Sequence, residues 1–396
     1  MLVLTSTFPR WKGDVEPPFV HELARRLTDS FDVHVLAPHA PGSKRREILD
    51  GVHVHRFRYA PSVLERLAYQ GGILANLKKS PALFGLVPFF LATQLLATVR
   101  LLISLRIRVI QAHWIFPQGL IALLSRTLTR RRVRILCTSH GGDLYGLKGA
   151  VFTRIIMTVA AGCDHLTVVS RSMRRDLLEM GCEPGKISVI PMGVDLQHRF
   201  VPSKEPPCAE SLLFVGRLVE KKGLRYLLEA MPEIVEQSPR VHLAVVGDGP
   251  SRRELEKLSV DLDLRGRVKF LGALRNDDLP RVYQRAGIVI FPSVVSDDGD
   301  REGFGLVLVE AMGCGCVTVV SDLPAMRDIV NQGLNGIVVA QKDAKGISQA
   351  VRQLMQDPKL SGAMAREGRA TVLNYFDWGI IRTRYADLLK GMATDG

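Results

Sequence analysis

The chain has 396 residues, of which 46% are hydrophobic and 23% charged, so a disordered chain is excluded and two domains are favoured over one core. Its formal net charge of +13 lies in one half: residues 1–200 hold 27 lysines and arginines against 14 aspartates and glutamates, whereas residues 201–396 hold 26 of each. The first half is therefore expected to face an anionic partner. We expect an anionic membrane surface and no nucleic acid, because no stacking aromatics or nucleic-acid motif accompany the basic residues.

Six cysteines, at positions 137, 163, 182, 208, 314 and 316, lack the spacing of a metal site. Reduced thiols in a cytoplasmic chain are the expected state. The opening "MLVLTSTFP" has no basic segment before its apolar run, so it predicts a first strand and not a signal peptide.

Short β-rich runs alternate with helical patterns along the first half. This order predicts a parallel sheet covered by helices, with ligands bound beyond the carboxyl ends of the strands. The helix is predicted in "PPFVHELARRLTD", and strands are predicted in "MLVLTST", "FDVHVLAP", "VHVHRFRY", "RVIQAHW", "VRILCTSH" and "HLTVVS".

One stretch between Lys79 and Arg100 has twenty residues without a charge, which is long enough to span a membrane. Pro88 and several polar residues interrupt it, so a buried helix is favoured over a span. An interfacial or acceptor-lining helix remains the third interpretation, because basic residues flank the stretch.

The second half repeats the alternation, and "RFVPSKEPPCAE", residues 199–210, has the proline content of a linker. We predict an α/β chain of two Rossmann-like, doubly wound domains facing a cleft. The expected bounds are 1–200, 201–375 and a terminal amphipathic helix over 376–396. Strands are predicted in "SLLFVGRL", "VHLAVVGDGP", "VKFLGAL", "AGIVIFPS", "VTVVSD" and "GIVVA", and helices in "GLRYLLEAMPEIVEQ" and "SRRELEKLSVDL".

The stretch "REGFGLVLVEAMGCG" brings two carboxylates and a glycine turn next to an apolar helix. Gly303 and Gly305 allow close backbone approach, and the helix N-terminus favours a phosphate. A carboxylate repels phosphate, so Glu310 must address another part of the ligand, and a vicinal diol such as a ribose suits it. Glu302 could accept from sugar hydroxyls. A ligand with diol, phosphate and sugar is a nucleotide sugar.

Positive partners for such phosphates follow a predicted strand in "FVGRLVEKKG". Arg217 and Lys222 could neutralise a departing diphosphate without a metal, although each alone is also typical of a solvated surface. Asp298 and Asp300 form only a weak candidate metal pair. "VVGDGP" lacks the full spacing of a nicotinamide-binding turn.

Taken together, "EGFGLVLVEAMGCGC", "FVGRLVEKKG", "VGDGP", "FLGAL" and "VIPMGVD" resemble retaining glycosyltransferases of family 4, which have the GT-B fold. The resemblance implies that Glu310 holds the ribose diol of the donor and Glu302 the hydroxyls of the transferred sugar. Arg217 and Lys222 would bind the diphosphate, no metal would be needed, and the terminal helix would return to the N-terminal domain. Backbone near Leu274 would meet the base, while the backbone of Phe304, Gly305 and Leu306 would assist Glu302.

In the first half, Gly13 of "TFPRWKGDVEPPF" matches the family's glycine loop near the donor phosphates, with Asp14 in place of a second glycine. Lys12 beside it is expected to be a surface lysine. His140 of "CTSHGGDLYGL" matches a family histidine at the reaction centre, with a role in orientation and hydrogen bonding. His113 of "QAHW" is a weaker candidate for the acceptor side.

The implied activity is transfer of a hexose from a UDP- or GDP-sugar to a hydroxyl of a glycan or lipid-linked acceptor, with retained anomeric configuration. The expected setting is cell-surface polysaccharide or lipopolysaccharide synthesis, with the enzyme peripheral on the cytoplasmic face of the inner membrane. The alternatives are a sugar-nucleotide epimerase or glycan phosphorylase of the same fold, and a non-catalytic nucleotide-binding scaffold at the membrane. The base, sugar, acceptor, linkage and oligomeric state stay open.

Overall fold

The structure, a computed structural model, describes residues 1–14, 16, 18–69 and 71–394. It divides into two compact units. The first comprises Met1–Val169, Met173–Pro191 and Ile381–Gly396, and the second comprises Ser170–Ser172 and Met192–Ile380. The proline-rich segment 199–210 lies inside the second unit, where it leads into that unit's first strand.

The first unit is built on an eight-stranded sheet of order β3-β4-β2-β1-β5-β6-β7-β8. Every neighbouring pair is parallel except the edge pair β3 and β4. All residues of β1, β2 and β5 are buried, as expected of parallel strands covered on both faces. The strands are β1 (Leu2–Leu4), β2 (His34–Pro38), β3 (Arg46–Leu49), β4 (Val52–Phe57), β5 (Val109–His113), β6 (Arg134–Ser139), β7 (His165–Val168) and β8 (Ile187–Val189).

The segments between these strands are mainly helical. An irregular turn, Ile115–Gly119, follows β5, and 3-10 turns occupy Ser62–Leu64, Pro81–Leu86 and Pro184–Lys186. The helices are α1 (Phe19–Arg26), α2 (Ile73–Lys79), α3 (Val87–Ser104), α4 (Leu120–Thr129), α5 (Gly142–Tyr145), α6 (Ala150–Gly162) and α7 (Arg171–Glu179).

The second unit is built on a fully parallel six-stranded sheet of order β11-β10-β9-β12-β13-β14. Its core packs aliphatic residues of these strands against α8 and α13. The strands are β9 (Cys208–Val215), β10 (His242–Val246), β11 (Val268–Gly272), β12 (Ala286–Phe291), β13 (Val317–Ser321) and β14 (Ile337–Val339). The helices are α8 (Leu224–Gln237), α9 (Arg252–Asp261), α10 (Leu279–Arg285), α11 (Leu306–Gly313), α12 (Pro324–Arg327), α13 (Ala344–Gln356) and α14 (Pro358–Phe376).

The last helix, α15 (Trp378–Thr394), starts two residues later than predicted, because Phe376 ends α14 and Asp377 separates the two helices. The Asp377 carboxylate accepts hydrogen bonds from the backbone N–H of Leu196 at 3.2 Å and of Gly379 at 2.9 Å. It therefore caps the start of α15. Residues 395 and 396 of the predicted element lie outside the described residues.

Among the parallel strands, each sheet reverses its order at one place, between β1 and β5 in the first unit and between β9 and β12 in the second. In doubly wound sheets the crevice outside the carboxyl ends of such strands is where ligands bind. The prediction of two parallel-sheet α/β units is confirmed. The short strands β3 and β8 were not predicted, since β3 is an antiparallel edge strand with exposed residues and β8 has only three residues.

Helix α3 corrects the expectation of a buried helix between Lys79 and Arg100. Only Phe90, Gln94, Thr98 and Leu102 are buried, one residue in every turn. Among the described residues, Pro81–Ser104 is the one helical stretch long and apolar enough to cross a membrane by length and composition alone.

Candidate functional site

The loops after β9 and β12 bring Lys222 and Glu302 together. Lys222 Nζ donates to Glu302 Oε2 at 2.5 Å, across eighty residues of sequence. The turn that carries Lys222 ends at Gly223, whose φ is +66°. A Cβ at Gly223 would lie 1.8 Å from the Pro292 carbonyl oxygen, so only glycine lets the two loops approach this closely.

A second pair extends this contact. Lys221 Nζ donates to Asp300 Oδ1 at 3.0 Å and to the Arg301 carbonyl at 3.4 Å. Burial raises the pKa of Glu302, but Lys222, Lys221 and Arg217 outweigh it and hold that pKa below the ordinary value for glutamate. Glu302 is therefore a carboxylate at neutral pH, in a region of positive potential next to the β9/β12 switch point.

The glycine turn before α11 is shaped by packing on both sides. Phe304 is buried, with its ring centroid 5.6 Å from that of Phe376. Gly305 has φ +104°, and a Cβ there would lie 2.7 Å from Met326 Cε. Leu306 then starts α11, so the N-terminus of this helix follows Glu302 after only three intervening residues.

Glu310 lies on α11 and is buried. The Tyr283 hydroxyl donates to Glu310 Oε2 at 3.1 Å. Burial raises the pKa of Glu310 to about 7, although Tyr283 and the charge of Arg199 act in the opposite direction. A buried carboxyl with one fixed donor retains acceptor capacity for a ligand.

Two further predicted positions lie in loops of the second unit. Leu274 is half-buried, between β11 and the 3-10 turn Asn276–Asp278. Asp298 accepts from the Ser296 hydroxyl at 2.6 Å and the Asp300 N–H at 3.2 Å, so this carboxylate stabilises its own loop. No group of three potential metal ligands occurs among the described residues, and a metal-free reaction stays a prediction.

In the first unit, His113 ends β5 and His140 follows β6. His113 Nδ1 lies 2.9 Å from His140 Nε2, and the two ring planes make an angle of 13°. Burial lowers the pKa of His113 to about 3 and, together with His113, lowers that of His140 well below the ordinary value. The two imidazoles are therefore neutral and share one ring N–H, while His140 Nδ1 has no partner among the described residues.

Asp143 positions both histidine loops, a role that was not predicted. Its carboxylate accepts from the Ile115 N–H at 2.6 Å, the Ser139 hydroxyl at 2.9 Å and the His140 N–H at 3.3 Å. Tyr283 and Lys221 were also not predicted. The need of a buried carboxylate for a donor predicts that such partners exist, but not which residues supply them.

The Gly13 loop follows β1. Gly13 has φ +79°, and no heavy atom lies within 4 Å of a Cβ built there. Asp14, in place of the second glycine, accepts from the Arg10 N–H and Nε at 2.8 Å and from Nη2 at 2.6 Å. The carboxylate thus closes the turn on Arg10, while Lys12 is exposed.

Two known protein families match this chain, one in each half. Residues 18–198 match the family described as Glycosyltransferase Family 4, and residues 199–371 match the family described as Glycosyl transferases group 1. The chain belongs to glycosyltransferase family 4. The predictions of a family 4 glycosyltransferase and of a hexosyltransferase enzyme are confirmed.

Two relatives cover much of the chain. A GDP-mannose-dependent α-(1-6)-phosphatidylinositol monomannoside mannosyltransferase of Mycolicibacterium smegmatis is 27% identical over 99% of this chain and 98% of the relative. WcaL of Escherichia coli, a glycosyltransferase assigned by name to colanic acid biosynthesis, is 30% identical over 70% of this chain and 69% of its own length.

Solved structures agree on the fold. Sucrose-phosphate synthase of Thermosynechococcus elongatus superposes with a TM-score of 0.81 at 22% identity, over 100% of this chain and 99% of that chain. HepE of Anabaena, solved with UDP and glucose, gives a TM-score of 0.74 at 18% identity over 98% of both chains. The fold class is therefore GT-B.

Proposed function

We propose that this enzyme transfers a hexose, with retention, from a UDP- or GDP-hexose to a hydroxyl of a glycan or lipid-linked acceptor in cell-surface polysaccharide or lipopolysaccharide synthesis. The observation that carries the proposal is the 2.5 Å contact of Lys222 with Glu302, in the short loop that leads into α11. A cation and a carboxylate at this spacing suit the phosphate–sugar bond of a nucleotide sugar, whose two sides need opposite partners.

The donor would bind along α11. The diol of its ribose would hydrogen-bond to Glu310, and its diphosphate would lie against Arg217, Lys222 and the backbone of the Gly13 loop. Glu302 would accept from hydroxyls of the hexose, with the backbone of Phe304, Gly305 and Leu306 beside it. Backbone near Leu274 would contact the base. His140 would hydrogen-bond to the transferred sugar, and no metal would be required.

In the reaction, the bond between the anomeric carbon and the β-phosphate oxygen breaks, and the acceptor oxygen bonds to that carbon from the same face. The acceptor proton passes to the departing phosphate. Arg217 and Lys222 stabilise the charge that develops on this phosphate, and the other residues position the two sugars. Same-face attack leaves the configuration of the anomeric carbon unchanged.

GDP-mannose is the first donor to test, because the mycobacterial relative is GDP-mannose-dependent by name. UDP-hexoses follow. A donor that binds only the folded state raises the free energy of unfolding by about 2.7 kcal/mol at roughly 100-fold excess over Kd.

The enzyme would work at the cytoplasmic face of the inner membrane, bound peripherally. Support comes from α3, whose side chains Phe89, Leu96 and Ile103 recur every seven residues and are 61%, 58% and 61% exposed. The opposite stripe of α3 packs inside the first unit, which suits a helix lying on a lipid surface and not one crossing it. Exposed basic residues accompany α3: Arg100 belongs to it, and Arg131 Nη2 donates to the Ile103 carbonyl at 3.1 Å. Lys79, Arg130 and Arg132 are also exposed.

A thermal-shift screen with GDP, UDP and ADP, and then with their sugars, tests the donor assignment. We expect one base to stabilise the enzyme and Glu310→Ala to lose that stabilisation. Stabilisation that survives in Glu310→Ala would contradict the assigned donor position. Consumption of the sugar nucleotide into an isomer without an acceptor would instead indicate the epimerase.

Co-sedimentation with vesicles tests the membrane assignment. We expect binding to phosphatidylglycerol-rich vesicles, weaker binding to phosphatidylcholine vesicles, and release by high salt. Binding that ignores both lipid charge and salt would contradict a role for the basic residues.

A further inference from the structure

Two aromatic side chains of the first unit, Phe19 and Trp114, lie beside His140. The ring centroids of Phe19 and His140 are 4.9 Å apart, and those of Trp114 and His140 are 5.3 Å apart. Phe19 and Trp114 themselves meet edge-on, 6.0 Å apart at 75°. We call Phe19 and Trp114 the aromatic pair. Each of the three residues is half-buried.

The aromatic pair lies where the fold predicts a ligand. Trp114 directly follows β5, and Phe19 starts α1, the first helix after β1. These are the two strands between which the order of the first sheet reverses. Side chains that follow the carboxyl ends of such strands line the binding crevice of doubly wound sheets.

The backbone at Trp114 is strained. Its φ is +76° with ψ 135°, a region that residues other than glycine rarely adopt. Hydrogen bonds hold it there: the Trp114 N–H donates to the Thr138 carbonyl at 2.7 Å, and the Trp114 carbonyl accepts from Gly119 at 3.0 Å. Strained backbone of this kind is kept only where several surrounding contacts fix the conformation, and it is found mainly at functional sites.

The chemistry of this surface suits a neutral sugar. Phe19 and Trp114 are uncharged and present ring faces and edges, which suit the C–H face of a pyranose and not a phosphate. His140 lies beside both rings, and its Nδ1 atom has no partner among the described residues. The acceptor sugar must lie next to the transferred hexose during the reaction. A surface beside His140, which is assigned to the transferred hexose, is therefore suited to the acceptor sugar.

We propose that the aromatic pair binds the sugar ring of the acceptor by stacking, next to the transferred hexose at His140. This rests on the proposed function, which assigns His140 to the transferred sugar and the first unit to the acceptor. The ligand class is a neutral hexopyranose at the end of a glycan or glycolipid.

Saturation-transfer NMR with methyl α-D-mannopyranoside, methyl β-D-glucopyranoside and methyl β-D-galactopyranoside tests the proposal on the full chain. We expect at least one glycoside to bind, with saturation concentrated on the C–H protons of one ring face. Trp114→Leu and Phe19→Leu should each weaken binding roughly tenfold, whereas Trp114→Phe keeps a ring and should retain most of it.

Phe152→Leu is the matched control, because Phe152 forms an edge-on pair with Phe116 at 5.7 Å in the same unit and is also half-buried. It should bind the glycoside as the wild type does. Failure of all three glycosides to bind the wild type, or equal affinity in Trp114→Leu and wild type, would overturn the proposal. Binding of GDP and UDP, measured on the same samples, tests the proposed function separately and shows that each variant is folded.

Discussion

Lys222 donates to Glu302 at 2.5 Å, although the sequence assigned these residues to different parts of the donor. Lys222 was expected at the departing diphosphate and Glu302 at the transferred sugar. Those two parts are joined by the bond that breaks, so residues serving them must be neighbours. The contact therefore makes Lys222 and Glu302 neighbours in the second unit, as their two predicted roles require.

Removal of either partner should slow the reaction. We expect Lys222→Ala and Glu302→Ala each to lower kcat by on the order of 10²-fold or more, because each removes an electrostatic contact that the proposed transition state requires. The measurement is the release of nucleoside diphosphate at saturating donor. Arg225→Ala is the control, since Arg225 forms exposed pairs with Glu229 and Glu254. Wild-type kcat in both test variants would refute the assignment.

The stability of the enzyme should depend on pH through Glu310. The pKa of Glu310 is about 7 in the folded chain against 4.5 ordinarily, so between these values the folded chain keeps a proton that the unfolded chain has released. The free energy of unfolding should therefore fall as pH rises from 4.5 to 7, by on the order of 3 kcal/mol relative to Glu310→Gln, and stay level above 7. Urea denaturation of both proteins from pH 4.5 to 8 measures this difference. A constant difference would show that Glu310 titrates normally.

Tyr283 should matter most when Glu310 is ionised. Tyr283→Phe removes the hydroxyl that donates to Glu310, so the free energy of unfolding at pH 8 should fall by about 1.5–3 kcal/mol, the range for a hydrogen bond to a charged group. Tyr375→Phe is the control, because Tyr375 is exposed. Equal stability of the two variants at pH 8 would mean that the contact contributes nothing.

Gly223 should tolerate no side chain. Gly223→Ala introduces a Cβ 1.8 Å from the Pro292 carbonyl oxygen, whereas Gly266→Ala has a similar positive φ but nothing within 4 Å. Both variants incur the backbone cost of about 1–2 kcal/mol. We expect Gly223→Ala to lose at least about 2 kcal/mol more, because the loops after β9 and β12 must separate. Thermal and urea unfolding of the pair measure the difference, and equal losses would show that these loops move freely.

Membrane binding should depend on the exposed face of α3. Leu96→Glu places a charge among exposed apolar side chains, so the fraction bound to anionic vesicles should fall several-fold, with donor binding unchanged. Val260→Glu is the control, since Val260 is an exposed apolar residue of the second unit. Equal vesicle binding by Leu96→Glu and wild type would exclude this face.

Most strands could be predicted because parallel strands buried on both faces appear as continuous apolar runs, as in the "LVL" of β1 and the "IVIF" of β12. The environment of α3 could not be predicted, because an apolar helix has the same composition whether a domain core or a lipid surface covers it. Candidate site residues could be proposed from the sequence where a motif concentrates them, as around Glu302 and Glu310. Partners from distant segments, such as Tyr283 for Glu310 and Asp143 for the histidine loops, carry no local signal.

The first unit is completed by residues that follow the whole second unit in the chain. Ile381, Tyr385 and Leu389 of α15 are buried there, and the Tyr385 hydroxyl lies close to the side chains of Thr138 and Thr167. During synthesis, the basic N-terminal half therefore leaves the ribosome first. Its core is completed last, when α15 has been made. Folding of the nascent chain is thus not a simple N-to-C progression, and a fragment ending near Pro191 would expose the surface that α15 covers.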